Sequence, residues 1–466
     1  MNAQRNHSMS GAVHELHAGP PSAVRCPVPR CRRTMADRHR RKGCRVYLST
    51  VASPVTAAPA GPRRRRLALV SGNVVALGAV SLITDVSAEM VTAVLPLYLV
   101  LGLHVSPLAY GVIDGVHTGA TAVLRLAGGF VADRTRARKP VAGFGYALSA
   151  AAKLGLLLAG RSVPAITAVV AVDRLGKGVR TAPRDALITA SSPPEALGRA
   201  FGVHRAMDAT GAFLGPLVAL AVLAASGESY DAVFVSSFCV AVLALVVLVL
   251  FVRERPAGAP DTVAPPGAPK VTAAEAFGLL RAAPVRRLAA AAVLLGLATI
   301  GDGFVYLMLQ RREDLGLVWF PLLAVGTSLA YLLLAAPLGA LADRVGRLPV
   351  VLGGYAALGL VYCLPFGPLG GWPLLVLTLA LHGLFYAATD GVLVALAGPV
   401  LPARLRTTGI ALIQTGQALA YLASSVLFGL AWQVWGPRTA GLAAALGVAV
   451  VVAATPALLR KRGSLR

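Results

Sequence analysis

The sequence predicts an all-α integral membrane protein of about twelve helices, arranged as two similar six-helix halves. Three observations carry this. The chain has 466 residues, of which 56% are hydrophobic and only 14% charged, whereas soluble domains carry about 25% charged residues. From about residue 70 onward the chain divides into apolar runs, each near or above the ~20 residues a helix needs to cross a bilayer. A Pro/Gly/Ala-rich gap containing "PAGAPDTVAPPGAPK" separates the first six runs from the last six. Continuous apolar runs fit helices, because barrel strands would alternate with polar residues.

The elements follow in order. Residues 1–66 hold fourteen Lys/Arg against Glu15 and Asp37, so half of the formal charge of +24 sits in one tail. That tail is rich in Arg, Pro, Ala and Ser and has no apolar run of the kind a secretory signal requires. It is expected to be disordered, cytoplasmic and dispensable. Cys26, Cys31 and Cys44 in the tail, with His39 nearby, match no common zinc-ligand spacing, and no metal is expected. The first half, 67–252, contains spans near 73–102, 107–131, 140–160, 164–188, 200–226 and 231–252. Residues 253–286 read as a cytoplasmic linker. The second half, 287–460, contains spans near 287–310, 317–341, 349–368, 372–398, 406–432 and 437–458, and 461–466 form a short cytoplasmic tail.

Loop charge sets the expected orientation. With the N-terminus inside, the cytoplasmic loops beyond the tail hold nineteen Lys/Arg and the opposite loops only Arg161, Arg311, Arg312 and Arg438. The positive-inside rule then places both termini in the cytoplasm. A multi-pass protein of the inner (plasma) membrane is expected, with the bilayer as its surroundings and no nucleic-acid partner.

The chain repeats itself. "GGFVADRTRARKP" follows the second span and "LGALADRVGRLP" follows the eighth, both reading Gly-x-x-x-Asp-Arg. Asp85 in span 1 has a counterpart in Asp302 of span 7. A half-chain repeat across a central linker marks a duplicated transporter fold. On these residues the sequence resembles the major facilitator superfamily over 70–460. The loop motif of that family is matched at Gly129, Asp133, Arg134, Arg138 and Lys139, with Arg136 where the family usually has Gly. The second copy matches at Gly339, Asp343, Arg344, Gly346 and Arg347. The resemblance implies two six-helix halves and a cytoplasmic gating role for both motifs. It also implies a small-molecule substrate moved by alternating access, a monomer, and no cofactor beyond a proton gradient as energy source.

"DRLGKGVRTAPRDA" (173–186) is the most charged stretch inside a span. A Walker phosphate loop needs Gly-x-x-x-x-Gly-Lys-Ser/Thr between a strand and a helix. Here Lys177 precedes Gly178 and the flanks are apolar, so an ATPase is rejected and no enzyme is expected. Arg174, Lys177 and Gly178 instead match the span 4 motif of the family, with Lys in place of Gln. Charges this deep are tolerated where they face a bundle interior and have partners. Helical spacing lines up Ser81, Asp85, Glu89 and Thr92 on span 1, and Tyr110, Asp114, Thr121 and Arg125 on span 2, with His117 beside them. It also lines up Arg174, Lys177, Thr181, Arg184 and Asp185 on span 4, with Arg180 at the edge. On span 5 it joins His204 and Asp208 to Gly211 and Gly215, flanked by Arg205. With Asp302 and Asp390 from the second half, Asp85, Glu89, Asp114, Arg174, Lys177, Arg180, His204, Arg205 and Asp208 form the expected proton and substrate pathway. Mutual pairing of these cations and acids is the competing reading. Asp85 or Glu89 is expected to carry the coupling proton, with Arg174 opposite. Gly211, Gly215 and Pro216 match the start of the drug-antiporter motif, whose final glycine pair is absent. Export is therefore favoured modestly over uptake of an organic anion or other nutrient. A non-transporting receptor on the same fold is the remaining alternative.

Overall fold

The computed structural model describes residues 71–119, 121, 138–193, 196–254, 273–390, 396, 400–402 and 405–460. The tail 1–66, most of the linker, and Gly129, Asp133 and Arg134 of the first loop motif lie outside them. Among the described residues there is helix and turn but no strand, and nine helices are long and apolar enough to cross a membrane.

Helix α1, Gly72–Leu97, is capped by the Ser71 hydroxyl and runs on through a π-helical turn, Tyr98–Gly102. Helix α2 is described over 107–119. Then come α3, Arg138–Ala159, and α4, Val163–Ala190, which starts at a Ser162 cap followed by Pro164. They are followed by α5, Leu197–Ala225, and α6, Tyr230–Phe251. A short α7, Ala273–Gly278, leads into α8, Ala283–Leu297. The span expected near 287–310 is broken: α8 ends at Leu297, and α9, Asp302–Glu313, restarts at Asp302 behind Gly301. Helices α10, Pro321–Val345, α11, Arg347–Cys363, and α12, Gly371–Thr389, follow. The last helical stretch, α13, covers Arg406–Arg460. Its 55 residues would span about 80 Å if straight, more than twice a ~30 Å hydrocarbon core. It is interrupted at Gly436, where φ is 79°, a backbone that residues with a Cβ rarely adopt. Before that point Leu422, Ser425 and Gly429 lie against Gly115, Gly111 and Pro107. Beyond it Gly441 meets Tyr362 and Phe366, and Val448 meets Gly359. The chain therefore reverses at Gly436.

The internal repeat has a structural counterpart. In the first half α1 packs along α5 and α3 along α4, while in the second α8 packs along α13 and α11 along α12. Leu243, Val246, Val249 and Leu250 of α6 and Leu427, Val434 and Trp435 of α13 are exposed, a surface suited to lipid rather than water.

At one end of the molecule the halves interlock. Tyr110 of α2 packs edge-on against Phe304 of α9 at 4.7 Å, and Phe304 meets Phe428 at 4.9 Å. A single apolar cluster there runs from Leu97, Tyr98 and Ile113 to Phe304, Phe428 and Trp432. At the opposite end the packing divides. Leu77, Tyr146, Ile188 and Leu248 form one cluster in the first half. Leu279, Val285, Leu288 and Ile413 form another in the second.

Candidate functional site

Between the halves lies a cavity of about 880 Å³, bordered by Glu89, Asp114, Arg174 and Lys177 from the first half and Asp302 and Asp390 from the second. Six of the expected pathway residues thus converge on one space.

The floor of the cavity is the interlocked end. Where α8 gives way to α9 the backbone is freed from helical bonding, and a buried N–H there needs another acceptor. The Ile300 N–H donates to the Tyr362 hydroxyl at 2.9 Å, and the Thr299 hydroxyl donates back to Leu295 O at 2.9 Å. Asp302 follows, at the positive end of the α9 dipole. Its carboxylate accepts from the Tyr386 hydroxyl and lies 3.5 Å from His382 Nε2. Asp114 reaches across from α2. It accepts from the Ser425 and Tyr421 hydroxyls of α13, the latter at 3.3 Å, so this carboxylate joins the two halves. Gly301 lies directly under it, and a Cβ there would overlap the Asp114 carboxylate. On the second-half wall Tyr331 donates to Asp390 at 3.2 Å.

The charged stretch of α4 does several jobs. Asp173 binds Lys153 of α3 at 3.2 Å and is gripped by its neighbour Arg174. The Ser149 hydroxyl donates to Asp173 O at 3.0 Å and accepts from Arg180 Nη1 at 3.1 Å. Arg180 also covers the Tyr146 ring at 4.7 Å. Arg180 therefore serves the α3–α4 contact and does not border the cavity. Arg174 borders the cavity but bonds Asp173, not Asp85 or Glu89 as expected, because a carboxylate one residue away is within reach without bringing two helices together. Lys177 borders the cavity with Arg174 and Glu89.

A second polar cluster sits between α1, α4 and α5. Arg184 donates to Ser81 and to Asp185, both at 3.0 Å, and lies 3.9 Å from Asp208. Arg205, 73% exposed, approaches Asp208 at 3.8 Å. Asp85 lies near Asp208. His204 is buried, and neither ring nitrogen has a partner. Asp85, His204, Arg205 and Asp208 thus lie beside the cavity rather than on its wall. Gly211 and Gly215 let α5 touch α1: Gly211 meets Leu82 O, and Gly215 meets the Glu89 side chain. Pro216 follows inside the same helix.

At the divided end, Glu254 accepts from the Arg138 and Lys139 backbone N–H groups at 2.8 and 3.2 Å, capping α3. Lys139 Nζ returns the contact by donating to Val249 O and Val252 O at the end of α6. In the second motif Asp343 and Arg344 are exposed, Gly346 ends α10 at φ 101°, and Arg347 begins α11. Glu254 escaped sequence reading because it lies outside the apolar runs. Tyr306, Tyr386 and Tyr421 escaped it because aromatic residues at helical spacing read as packing.

A family model described as Major Facilitator Superfamily matches residues 77–327 and 320–465. The chain belongs to the major facilitator superfamily. It is a multi-pass membrane transporter and, as its sequence implied, not an enzyme. An uncharacterised transporter of this superfamily from Methanocaldococcus jannaschii is 29% identical over 375 residues, covering 78% of this chain and 89% of that one. An uncharacterised protein of Mycobacterium tuberculosis is 36% identical over 158 residues, 34% of this chain and 38% of that one. Among solved structures, the nucleoside transporter NupG superposes with a TM-score of 0.70 at 14% identity, covering 84% of this chain and all of that one. A bacterial homologue of the lysosomal transporter Spinster, in an inward-facing and unoccupied conformation, gives 0.60 at 16% identity, covering 83% and 94%. These likenesses show the superfamily fold.

Proposed function

We propose that this superfamily member is a proton-coupled secondary transporter of the inner membrane that works by alternating access, with export favoured over uptake. One observation carries the reading: a charged cavity lies between two halves that interlock at one end and pack separately at the other. Rocking the halves about such a site exposes it to each side in turn. The loop charges support a cytoplasmic placement of the divided end, which reads this as an inward-facing state with both termini inside. The partial glycine–proline motif of α5 supports export.

Proton coupling belongs to the acids of α1. Glu89 borders the cavity near Lys177, and Asp85 sits one helical turn away against Asp208. A substrate that shifts Lys177 relative to these acids changes how readily they hold a proton, which links the two events. Each proton moved inward along the membrane potential supplies about 2.3 kcal/mol per 100 mV. The test is purified protein in proteoliposomes, screened with organic anions, amino acids and drugs under an imposed pH gradient. Asp85→Asn or Glu89→Gln should abolish uphill accumulation while leaving downhill exchange. Normal accumulation by both variants would move the proton site elsewhere, to Asp208 or Asp302 next.

A further inference from the structure

We propose that the cavity floor is a binding site for an organic cation, an aromatic amine being the simplest kind. The inference rests on the transporter reading and narrows its substrate class. Four carboxylates border the cavity, Glu89, Asp114, Asp302 and Asp390, against two cations, Arg174 and Lys177. Arg174 is already committed to Asp173. Among the described residues, none of Glu89, Asp114 and Asp390 has a cation within 4.0 Å. Among the described residues, the positive charge available to an anion is therefore one lysine, set against a surplus of acid.

The surplus is concentrated at the floor. Asp114 lies on Gly301, one residue before Asp302, so acids from opposite halves meet at the floor. Among the described residues their partners are hydroxyls and His382, and a carboxylate has about four lone-pair sites. Acceptor capacity is left for an ammonium, which brings only donors. Tyr110, Tyr306, Tyr386 and Tyr421 border the same space, and tyrosine rings attract a cation through their faces. The Thr327 hydroxyl, 5% exposed, also borders it and has no hydrogen-bond partner. A cation placed there would sit between two repelling carboxylates, one in each half, so its arrival bears on the joint that must open.

The test uses the purified full chain in nanodiscs and two probes of one shape and opposite charge, tryptamine and indole-3-propionate. Tryptamine should bind at least about tenfold more tightly at neutral pH. Asp114→Asn and Asp302→Asn should each weaken tryptamine by about tenfold or more without weakening indole-3-propionate. Asp302→Glu, which keeps the charge, should retain the preference and serves as the folding control. Equal affinity, a preference for the carboxylate, or no binding of either probe by the well-folded wild type overturns the proposal. Proteoliposome flux separates this from the broader reading. Transport of anions alone would leave the transporter standing and remove the cation site. Tryptamine bound but never moved would do the reverse.

Discussion

Asp173 holds two cations that the bilayer would otherwise have to accommodate. Lys153 is 4% and Arg174 7% exposed at the side chain, and both end on this one carboxylate. Removing one partner of a buried ion pair leaves an uncompensated charge, at a cost of about 3–5 kcal/mol. Asp173→Asn should therefore lower the melting temperature and yield of the purified protein far more than Asp343→Asn, whose carboxylate is exposed. Equal melting of the two variants would show that the α3–α4 ion cluster contributes nothing. The same residue shows what a sequence can and cannot disclose. Helical spacing put Arg174 and Lys177 on one face of α4, and the structure agrees that both reach the cavity. Spacing gives a face but not a neighbour, so it could not tell that Arg174 bonds the acid beside it while Lys177 has no such bond to Asp173.

At the scale of the helix, the decisive quantity is how closely two backbones approach. Gly211 and Gly215 of α5 meet Leu82 O, Val86 O and the Glu89 side chain of α1, with backbone atoms closer than a Cβ tolerates. Forcing a larger residue into such a contact costs about 1–3 kcal/mol. Gly211→Val should separate α1 from α5, tilt the Glu89 stripe and reduce both melting temperature and turnover. Gly447→Ala, on α13 with open space around it, should be neutral or stabilising by up to about 1 kcal/mol. A melting curve for each decides the matter, and an unchanged Gly211→Val would refute the close-contact account. The break between α8 and α9 makes a second element-scale prediction. Tyr362→Phe removes the acceptor of the Ile300 N–H, leaving a buried donor unpaired at a cost of about 1–3 kcal/mol. Thermal unfolding should register that loss, whereas Tyr331→Phe, at an exposed hydrogen bond, should not. Hydropathy alone read 287–310 as one continuous span, because the four apolar or small residues 298–301 do not interrupt a running average. The local signal was Gly301 and Gly303 flanking Asp302, a pair of glycines beside an acid where a helix restarts.

For the whole molecule, the sequence disclosed its repeat and its spans because lipid imposes a single rule: about twenty apolar residues per crossing, with every backbone group bonded within the segment. The joint between the halves was less legible. It is built from Tyr110, Phe304, Phe428 and Trp432, which any apolar run could contain, and from Asp114, whose partners on α13 lie some three hundred residues away. Which side this joint faces follows from charge. Arg138, Lys139, Arg253, Arg344 and Arg347 all lie at the divided end, while Arg311 and Arg312 lie at the interlocked end. The positive-inside rule supports the proposed cytoplasmic placement of the divided end. Reporter fusions after residues 260, 345 and 466 should accordingly be active only as cytoplasmic reporters, and fusions after 229 and 314 only as external ones. Residue 260 carries the most weight, since it falls in the linker between the halves. An external signal there would leave one half with an odd number of crossings, invert the second half relative to the first, and remove the basis for an inward-facing cavity.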